Sequence, residues 1–62
     1  MRYEFNTKAK ASKFAKALRK SFILTERTSD HTVELWGFDS IRDDKKQWVL
    51  SVAEKVYNEI MS

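Results

Sequence analysis

The feature that most constrains the fold is a change in the spacing of apolar residues near the start of the chain. From Met1 to Asn6, apolar and polar residues alternate, and the apolar set is Met1, Tyr3 and Phe5. A period of two predicts a half-buried β-strand. From Lys8 the spacing becomes three and four residues, which predicts a helix with one apolar stripe. That stripe comprises Ala11, Phe14, Ala15, Leu18 and Phe22.

Two further strands are predicted in the middle of the chain. The helix should start at a cap formed by Asn6 or Thr7 and end near Ser21. Residues 22–27 are bulky and partly β-branched, which is typical of a strand, and residues 28–31 form a polar hairpin turn. Alternation then returns from Thr32 to Phe38, with Val33 and Leu35 on one face. Gly37, the single glycine, is expected to bulge or end this third strand.

The last predicted element is a second helix. Asp39 or Ser40 is expected to cap it, and Ser40 with Asp43 approximates a capping box. Its predicted buried stripe consists of Trp48, Val49, Val52, Ala53, Val56 and Ile60. The pattern predicts one helix that closes the chain.

These elements predict an α+β domain with the order βαββα, covering residues 1–62 as a single domain. A right-handed crossover makes the first two strands parallel, and the third strand can lie between them, antiparallel to both. The result is a three-stranded, mostly antiparallel sheet with both helices on one face. A double-stranded RNA-binding domain begins with a helix instead. The residues 33–38 do not supply the aromatic motif of an RNA-recognition domain.

Length and composition favour a small folded protein of the cytoplasm. Sixty-two residues leave room for one core, and 42% hydrophobic residues are too many for a disordered chain. The start of the sequence lacks the apolar run of a secretion signal, and no stretch approaches the roughly 20 apolar residues of a membrane span. The absence of cysteine fits a reducing compartment.

Enzymatic equipment is not evident in the sequence, so we predict no catalytic residue, no cofactor and no metal. The one histidine, His31, lies beside Asp30 in a predicted exposed turn. Asp43 and Asp44 could bind a cation, but acids in the first turn of a helix already complement its macrodipole. One glycine cannot form a glycine-rich phosphate loop. No small-molecule substrate is indicated.

The first predicted helix is strongly basic. Residues 1–27 hold eight basic and two acidic side chains, whereas residues 28–62 hold four basic and seven acidic ones. Like charges three and four residues apart destabilise a helix, so either the acidic half or a partner must compensate. We therefore predict that an acidic protein surface or a phosphate-bearing partner contacts this helix. The candidate residues are Lys8, Lys10, Lys13, Lys16, Arg19 and Lys20.

Two other surfaces are candidates for partner contact. On the last helix, Leu50, Tyr57 and Met61 widen the apolar arc beyond what one buried face requires, because such a face needs little more than 100°. They can pack against the first helix, or against another protein or a second copy. Trp36 is expected on the open face of the sheet near Arg2 or Arg27, where it could stack a base or cover the sheet.

The sequence therefore favours a non-enzymatic regulatory protein, such as an inhibitor or adaptor, that acts by contact with another protein or as a homodimer. The alternative is a nucleic-acid-binding module that uses the basic first helix. The two classes differ in salt dependence, because binding to phosphates weakens steeply with ionic strength. No membrane contact is predicted.

Overall fold

The computed structural model describes residues 2–62 and has the predicted βαββα order. Met1, predicted on the first strand, lies outside the described residues. The elements are β1 (Arg2–Glu4), α1 (Lys8–Lys20), β2 (Thr25–Ser29), β3 (Thr32–Leu35) and α2 (Asp43–Met61), with a single 3₁₀ turn over Phe38–Ser40. The α+β class is therefore confirmed.

The sheet has the strand order β1-β3-β2, and both neighbouring pairs are antiparallel. This order confirms that the third strand lies between the first two. Tyr3 lies opposite Val33, and the Phe5 amide donates to the His31 carbonyl at 2.8 Å, which continues the pairing beyond β1. On the other side of β3, Thr25 lies opposite Leu35. Side chains on the Val33 and Leu35 face are covered by the helices, and both residues are buried.

Both helices pack on one face of the sheet through four aromatic rings. The Tyr3 ring centroid lies 4.9 Å from that of Phe14 on α1 and 5.4 Å from that of Tyr57 on α2. Phe5 contacts the same two rings, at 5.1 and 5.2 Å. These separations are in the range in which tilted aromatic pairs attract each other beyond their burial alone. We call these residues the aromatic cluster.

Helix α1 follows the sequence closely. Thr7 is its N-cap, and the Thr7 hydroxyl accepts a hydrogen bond from the Lys10 amide at 3.2 Å. Such a bond satisfies one of the amide groups that have no partner within the helix. The predicted stripe is buried at Ala11, Phe14, Ala15 and Leu18, but Phe22 lies beyond the helix and is exposed. Inclusion of Phe22 in the stripe was wrong.

The second strand and the turn after it are displaced from their predicted positions. The strand was predicted over residues 22–27, but β2 begins at Thr25, because the chain first turns away from α1. The strand then extends to Ser29, with an irregularity in register between Arg27 and Ser29. The turn is consequently shorter than residues 28–31. The Ser29 hydroxyl donates to the Thr32 hydroxyl across it at 2.8 Å.

The connection from β3 to α2 also differs from the prediction. Strand β3 ends at Leu35 rather than Phe38, and Gly37 adopts a left-handed backbone with φ of 67°. Glycine adopts this conformation without steric penalty. Asp39 and Ser40 lie in the 3₁₀ turn, so neither caps α2, whose N-cap is Arg42 without a side-chain bond. The predicted capping box of Ser40 and Asp43 was therefore wrong.

Helix α2 buries a narrower stripe than predicted. Val49 and Ala53 are buried. The residues that pack partly against the core are Val52, Val56, Tyr57 and Ile60. Trp48 was predicted in the stripe but is 42% exposed, with the Lys45 ammonium 4.7 Å from its ring centroid. This cation–π contact gives the ring a partner outside the core.

We predict that Tyr3 makes the fold sensitive to alkaline pH. Burial and, second, the negative charge of Glu54 raise the pKa of Tyr3 above its ordinary value of 10.0. The unfolded chain then releases this proton at lower pH than the folded one, so stability should fall as pH rises past about 10. Tyr3→Phe should reduce the fall in the free energy of unfolding between about pH 9 and pH 11, measured by urea denaturation.

Below about pH 9, the difference in stability between Tyr3→Phe and the parent protein should be constant, since Tyr3 is protonated in both states there. Parallel stability curves across the whole alkaline range would contradict the assignment to Tyr3.

Candidate docking site

An apolar pocket opens where α1 ends, β3 ends and α2 begins. Its volume is about 440 Å³. This lies within the range of roughly 300–1,000 Å³ typical of pockets that bury most of a ligand. Buried side chains form part of its wall, namely Ile23, Leu35 and Val49, and half-buried Phe38 and Ile41 also line it.

Three large apolar side chains that line this pocket are exposed. Phe22 is 93% exposed, Trp36 61% and Leu24 59%. The Trp36 amide donates to the Leu24 carbonyl at 3.0 Å, which holds the two chain segments side by side. Contiguous exposed apolar surface of this kind marks interaction sites in soluble proteins. We call these three residues the apolar rim.

The backbone at Phe22 explains why its ring is exposed. Phe22 has φ of 63°, the left-handed conformation, and is the only non-glycine residue within 2–62 with positive φ. Its amide donates to the Arg19 carbonyl, and the Ile23 amide donates to the Leu18 carbonyl, both at 3.0 Å. Together these bonds form a left-handed helix ending, in which glycine is the usual residue at the Phe22 position. Left-handed backbone costs a non-glycine residue about 1–2 kcal/mol.

The same helix ending accounts for the displaced strand. Leu18 and Ile23 are both buried, which is the hydrophobic contact that usually accompanies this ending. Because Ile23 returns to the core, Phe22 and Leu24 on either side of it are directed outward. Sequence reasoning missed both as site residues. The sequence feature that could have indicated their exposure is three consecutive bulky residues, Phe22 to Leu24, directly after a helix. One buried position cannot accommodate all three side chains.

Trp36 is exposed as predicted, but its surroundings differ. Arg2 or Arg27 was expected near it, yet Arg27 lies opposite Val33 and donates to the Ser12 hydroxyl of α1 at 2.9 Å. Arg27 also donates to the Asp30 carbonyl at 2.9 Å, so its guanidinium is held by the fold. Arg2 lies opposite Glu34 on β3. Trp36 lines the pocket together with residues that are mainly apolar. Stacking of a base on Trp36 stays a prediction.

Of the described residues that line the pocket, Lys45 is the one that carries a charge. Next to it, the Lys46 ammonium lies 5.5 Å from the ring centroid of Phe38. Arg19 and Lys20 lie in the last turn of α1, directly before Phe22. The pocket is therefore lined mainly by apolar residues and by one cation, and further cations and the acids Asp39 and Asp44 lie next to its lining residues in the chain.

The basic residues of α1 have no acidic partner within the described fold. Within residues 2–62 the only ion pair joins Arg42 to Asp44, both exposed, at 3.4 Å. The acidic half of the chain thus does not neutralise α1 by direct pairing. The six predicted residues are Lys8, Lys10, Lys13, Lys16, Arg19 and Lys20. Lys10 is half-buried and the other five are exposed. We call this set the basic face.

The predicted interface on α2 is only partly open. Tyr57 belongs to the aromatic cluster, and its hydroxyl donates to the Glu4 carbonyl at 3.1 Å. The fold thus uses Tyr57 internally, which follows the alternative in which this flank packs against α1. Leu50 is half-buried and Met61 is exposed. A partner contact at Leu50 and Met61 stays a prediction.

The titratable side chains of residues 2–62 do not gather at a metal-binding cluster. No three histidine or carboxylate side chains in that part of the chain are grouped as ligands for a metal ion. His31 is exposed in the turn after β2, and Asp44 is used locally, since its carboxylate accepts a bond from the Lys45 amide at 2.9 Å. None of the helices described is both long and apolar enough to span a bilayer.

Comparison with known proteins gives no match to any family model, to any curated protein or to any solved structure.

We predict that Phe22→Gly stabilises the domain. Glycine adopts the left-handed backbone freely, and a ring that is 93% exposed contributes little to the core. The free energy of unfolding should rise by about 0.5–1 kcal/mol, after allowance for the greater freedom of glycine in the unfolded chain. Urea denaturation of the purified variant measures this change.

Phe22→Ala is the matched control, because it removes the ring but keeps a Cβ in the strained conformation. It should leave stability close to that of the parent protein. If Phe22→Gly and Phe22→Ala have equal stability, the backbone strain at Phe22 is refuted.

Proposed function

We propose that this protein is a small non-enzymatic binding module that docks onto another protein through the apolar pocket. The observation that carries this proposal is Phe22, a fully exposed aromatic ring held at the pocket in a strained backbone. Strained residues cluster at functional sites because selection for stability alone would remove them. The role is that of an inhibitor or adaptor, and we retain the cytoplasmic setting predicted from the sequence.

The composition of the pocket favours a protein partner. Aromatic residues are enriched among the few side chains that carry most of the energy of protein interfaces. Here two aromatic rings and one leucine form the apolar rim, beside a cavity that can accept side chains from the other molecule. A base-stacking site would instead present flat rings on an open sheet face. The rim lies at the end of the sheet, where β3 has stopped.

The charges beside the pocket specify the chemistry of the partner. Lys45 lines the pocket, and Arg19, Lys20 and Lys46 lie close to its residues in sequence or in space, none with an ion-pair partner within residues 2–62. Complementary charge across an interface steers association and selects partners. The proposed partner segment therefore carries an apolar anchor side chain flanked by aspartate or glutamate.

Selection from a random displayed-peptide library tests this proposal. Parent protein should enrich peptides that share an apolar anchor next to acidic residues. Phe22→Gly and Phe22→Ala should both bind the enriched peptides at least about tenfold more weakly, since truncation of an aromatic anchor typically costs 2 kcal/mol or more. Because Phe22→Gly is expected to be the more stable variant, its loss of binding cannot be attributed to unfolding.

Met61→Ala provides the matched control, because Met61 is an exposed apolar residue that does not line the pocket. It should bind the enriched peptides as the parent does. If no peptide is enriched, or if enriched peptides bind Phe22→Gly as tightly as the parent, the proposed docking site is refuted.

Nucleic-acid binding through the basic face is the second candidate, and the lack of acidic partners on α1 supports it. We expect Lys8→Glu with Lys10→Glu to stabilise the domain, because acids complement the N-terminal end of a helix, and to weaken any binding to duplex DNA. For the parent protein, fluorescence titration with duplex DNA at about 50 and 200 mM salt should show an affinity that falls steeply as the salt concentration rises.

Lys8→Glu alone and Lys55→Glu form the matched pair for this titration, because each replaces one exposed lysine, on α1 and on α2, and changes the net charge equally. Equal affinities for Lys8→Glu and for Lys55→Glu would exclude a specific nucleic-acid surface on α1.

A further inference from the structure

The apolar pocket and the basic helix meet at one point of the chain. Three basic residues of α1 project opposite its buried stripe and are exposed: Lys13, Lys16 and Lys20. We call them the basic stripe. Lys20 precedes Phe22 of the apolar rim by two residues, so the Cα atoms of these two residues lie at most about 7 Å apart.

Helix α1 has 13 residues, and it is about 20 Å long at 1.5 Å per residue. An extended polypeptide advances about 3.3 Å per residue, so roughly six residues span the helix and three span the stripe. A segment whose anchor occupies the pocket beside Phe22 can therefore reach Lys20 and, within about three more residues, Lys13. A single partner segment can contact both.

We propose that the basic stripe and the apolar pocket form one composite surface that recognises an acidic amphipathic polypeptide segment. The apolar anchor of the segment enters the pocket, and its carboxylates lie along Lys20, Lys16 and Lys13. This inference rests on the proposed docking function of the pocket. It adds the extent of the interface and the role of the charges on α1.

Charge complementarity supports a polypeptide over a nucleic acid at this composite surface. The lining of the pocket is apolar apart from Ser40 and Lys45, and a nucleic-acid duplex, which keeps its bases stacked and presents phosphates, would place no apolar group into it. The lysines of the stripe repel one another at three- and four-residue spacing, and no acid pairs with them within residues 2–62. Carboxylates of a bound segment relieve that repulsion, whereas its anchor covers the exposed rim.

Four synthetic peptides of about 12 residues separate the two parts of the surface. The first carries a leucine–phenylalanine anchor followed by glutamates, and the second has serines in place of the glutamates. The third keeps the glutamates but has serines in place of the anchor. The fourth carries the anchor followed by lysines. Binding is followed by shifts of backbone amide signals in NMR spectra of the isotope-labelled protein.

At about 50 mM salt, the first peptide should bind roughly tenfold more tightly than the second, because two or three ion pairs at an exposed surface supply about that factor. The advantage should disappear at about 500 mM salt, where exposed charges are screened. The third and fourth peptides should bind more weakly than the first. The largest shifts should lie at residues 13–24, 35–38 and 45.

Lys16→Glu should remove most of the difference in affinity between the first and the second peptide by weakening the first, and it should leave the affinity of the second unchanged. Lys55→Glu, with the same change of charge on the other helix, should keep the advantage. Phe22→Gly should weaken the first and the second peptide by the same factor. This pattern assigns charge recognition to the stripe and anchoring to the pocket.

Three results would overturn the inference, and they differ in what they leave standing. If the second peptide, which has the anchor and serines, binds through Phe22 as tightly as the first, the stripe has no role but the docking function survives. If neither the first nor the second peptide binds, both the inference and the docking function fail. If duplex DNA binds more tightly than the peptides, and Lys16→Glu weakens this binding while Phe22→Gly does not, the stripe is a nucleic-acid surface.

Discussion

The aromatic cluster is the interaction on which the rest of this structure depends. Tyr3 and Phe5 come from the first strand and its continuation, Phe14 from α1 and Tyr57 from α2, so four rings join the two ends of the chain to its first helix. A chain of 62 residues can bury only about 60% of the surface that its unfolded form exposes. Large rings are an effective way to fill so small a core, because each buries more area than an aliphatic side chain.

The placement of the cluster also determines where the fold is open. The rings fill the space between the helices near β1, while the pocket lies near Phe22, Trp36 and Lys45, where α1, β3 and α2 meet the irregular parts of the chain. Three large apolar residues are left exposed there. The same small core that limits stability thus leaves apolar surface free for binding.

The regular parts of the fold could be predicted because apolar spacing reports directly on which face of an element is buried. The Phe14 and Leu18 stripe, the Thr7 cap and the central position of β3 follow from spacing and from connection rules. The irregular parts could not, because they depend on backbone choices with weak sequence signals. Phe22 in a left-handed conformation is the main example, since glycine or asparagine would normally indicate that ending.

The candidate site shows the same division. The basic face is evident from composition, and the exposure of Trp36 follows from alternation with Val33 and Leu35. The pocket itself could not be predicted, because it arises from the helix ending at Phe22 together with the 3₁₀ turn after Gly37. For Tyr57 the sequence left open packing against the first helix or contact with a partner, because a helical arc cannot distinguish a neighbouring helix from another molecule, and the ring contacts Phe14 of α1.

The hydrogen bond from the Tyr57 hydroxyl to the Glu4 carbonyl has a consequence for how this protein can assemble. Strand β1 is at one edge of the sheet and β2 at the other, and an open edge can pair with a strand of a second molecule. At β1, an incoming strand must displace the tyrosine to reach the Glu4 carbonyl, and at β2 the irregular register near Ser29 interrupts a continuous ladder. Pairing with a strand of a second molecule is therefore opposed at both edges of the sheet. The obstacle is the Tyr57 side chain at β1 and the irregular backbone register at β2.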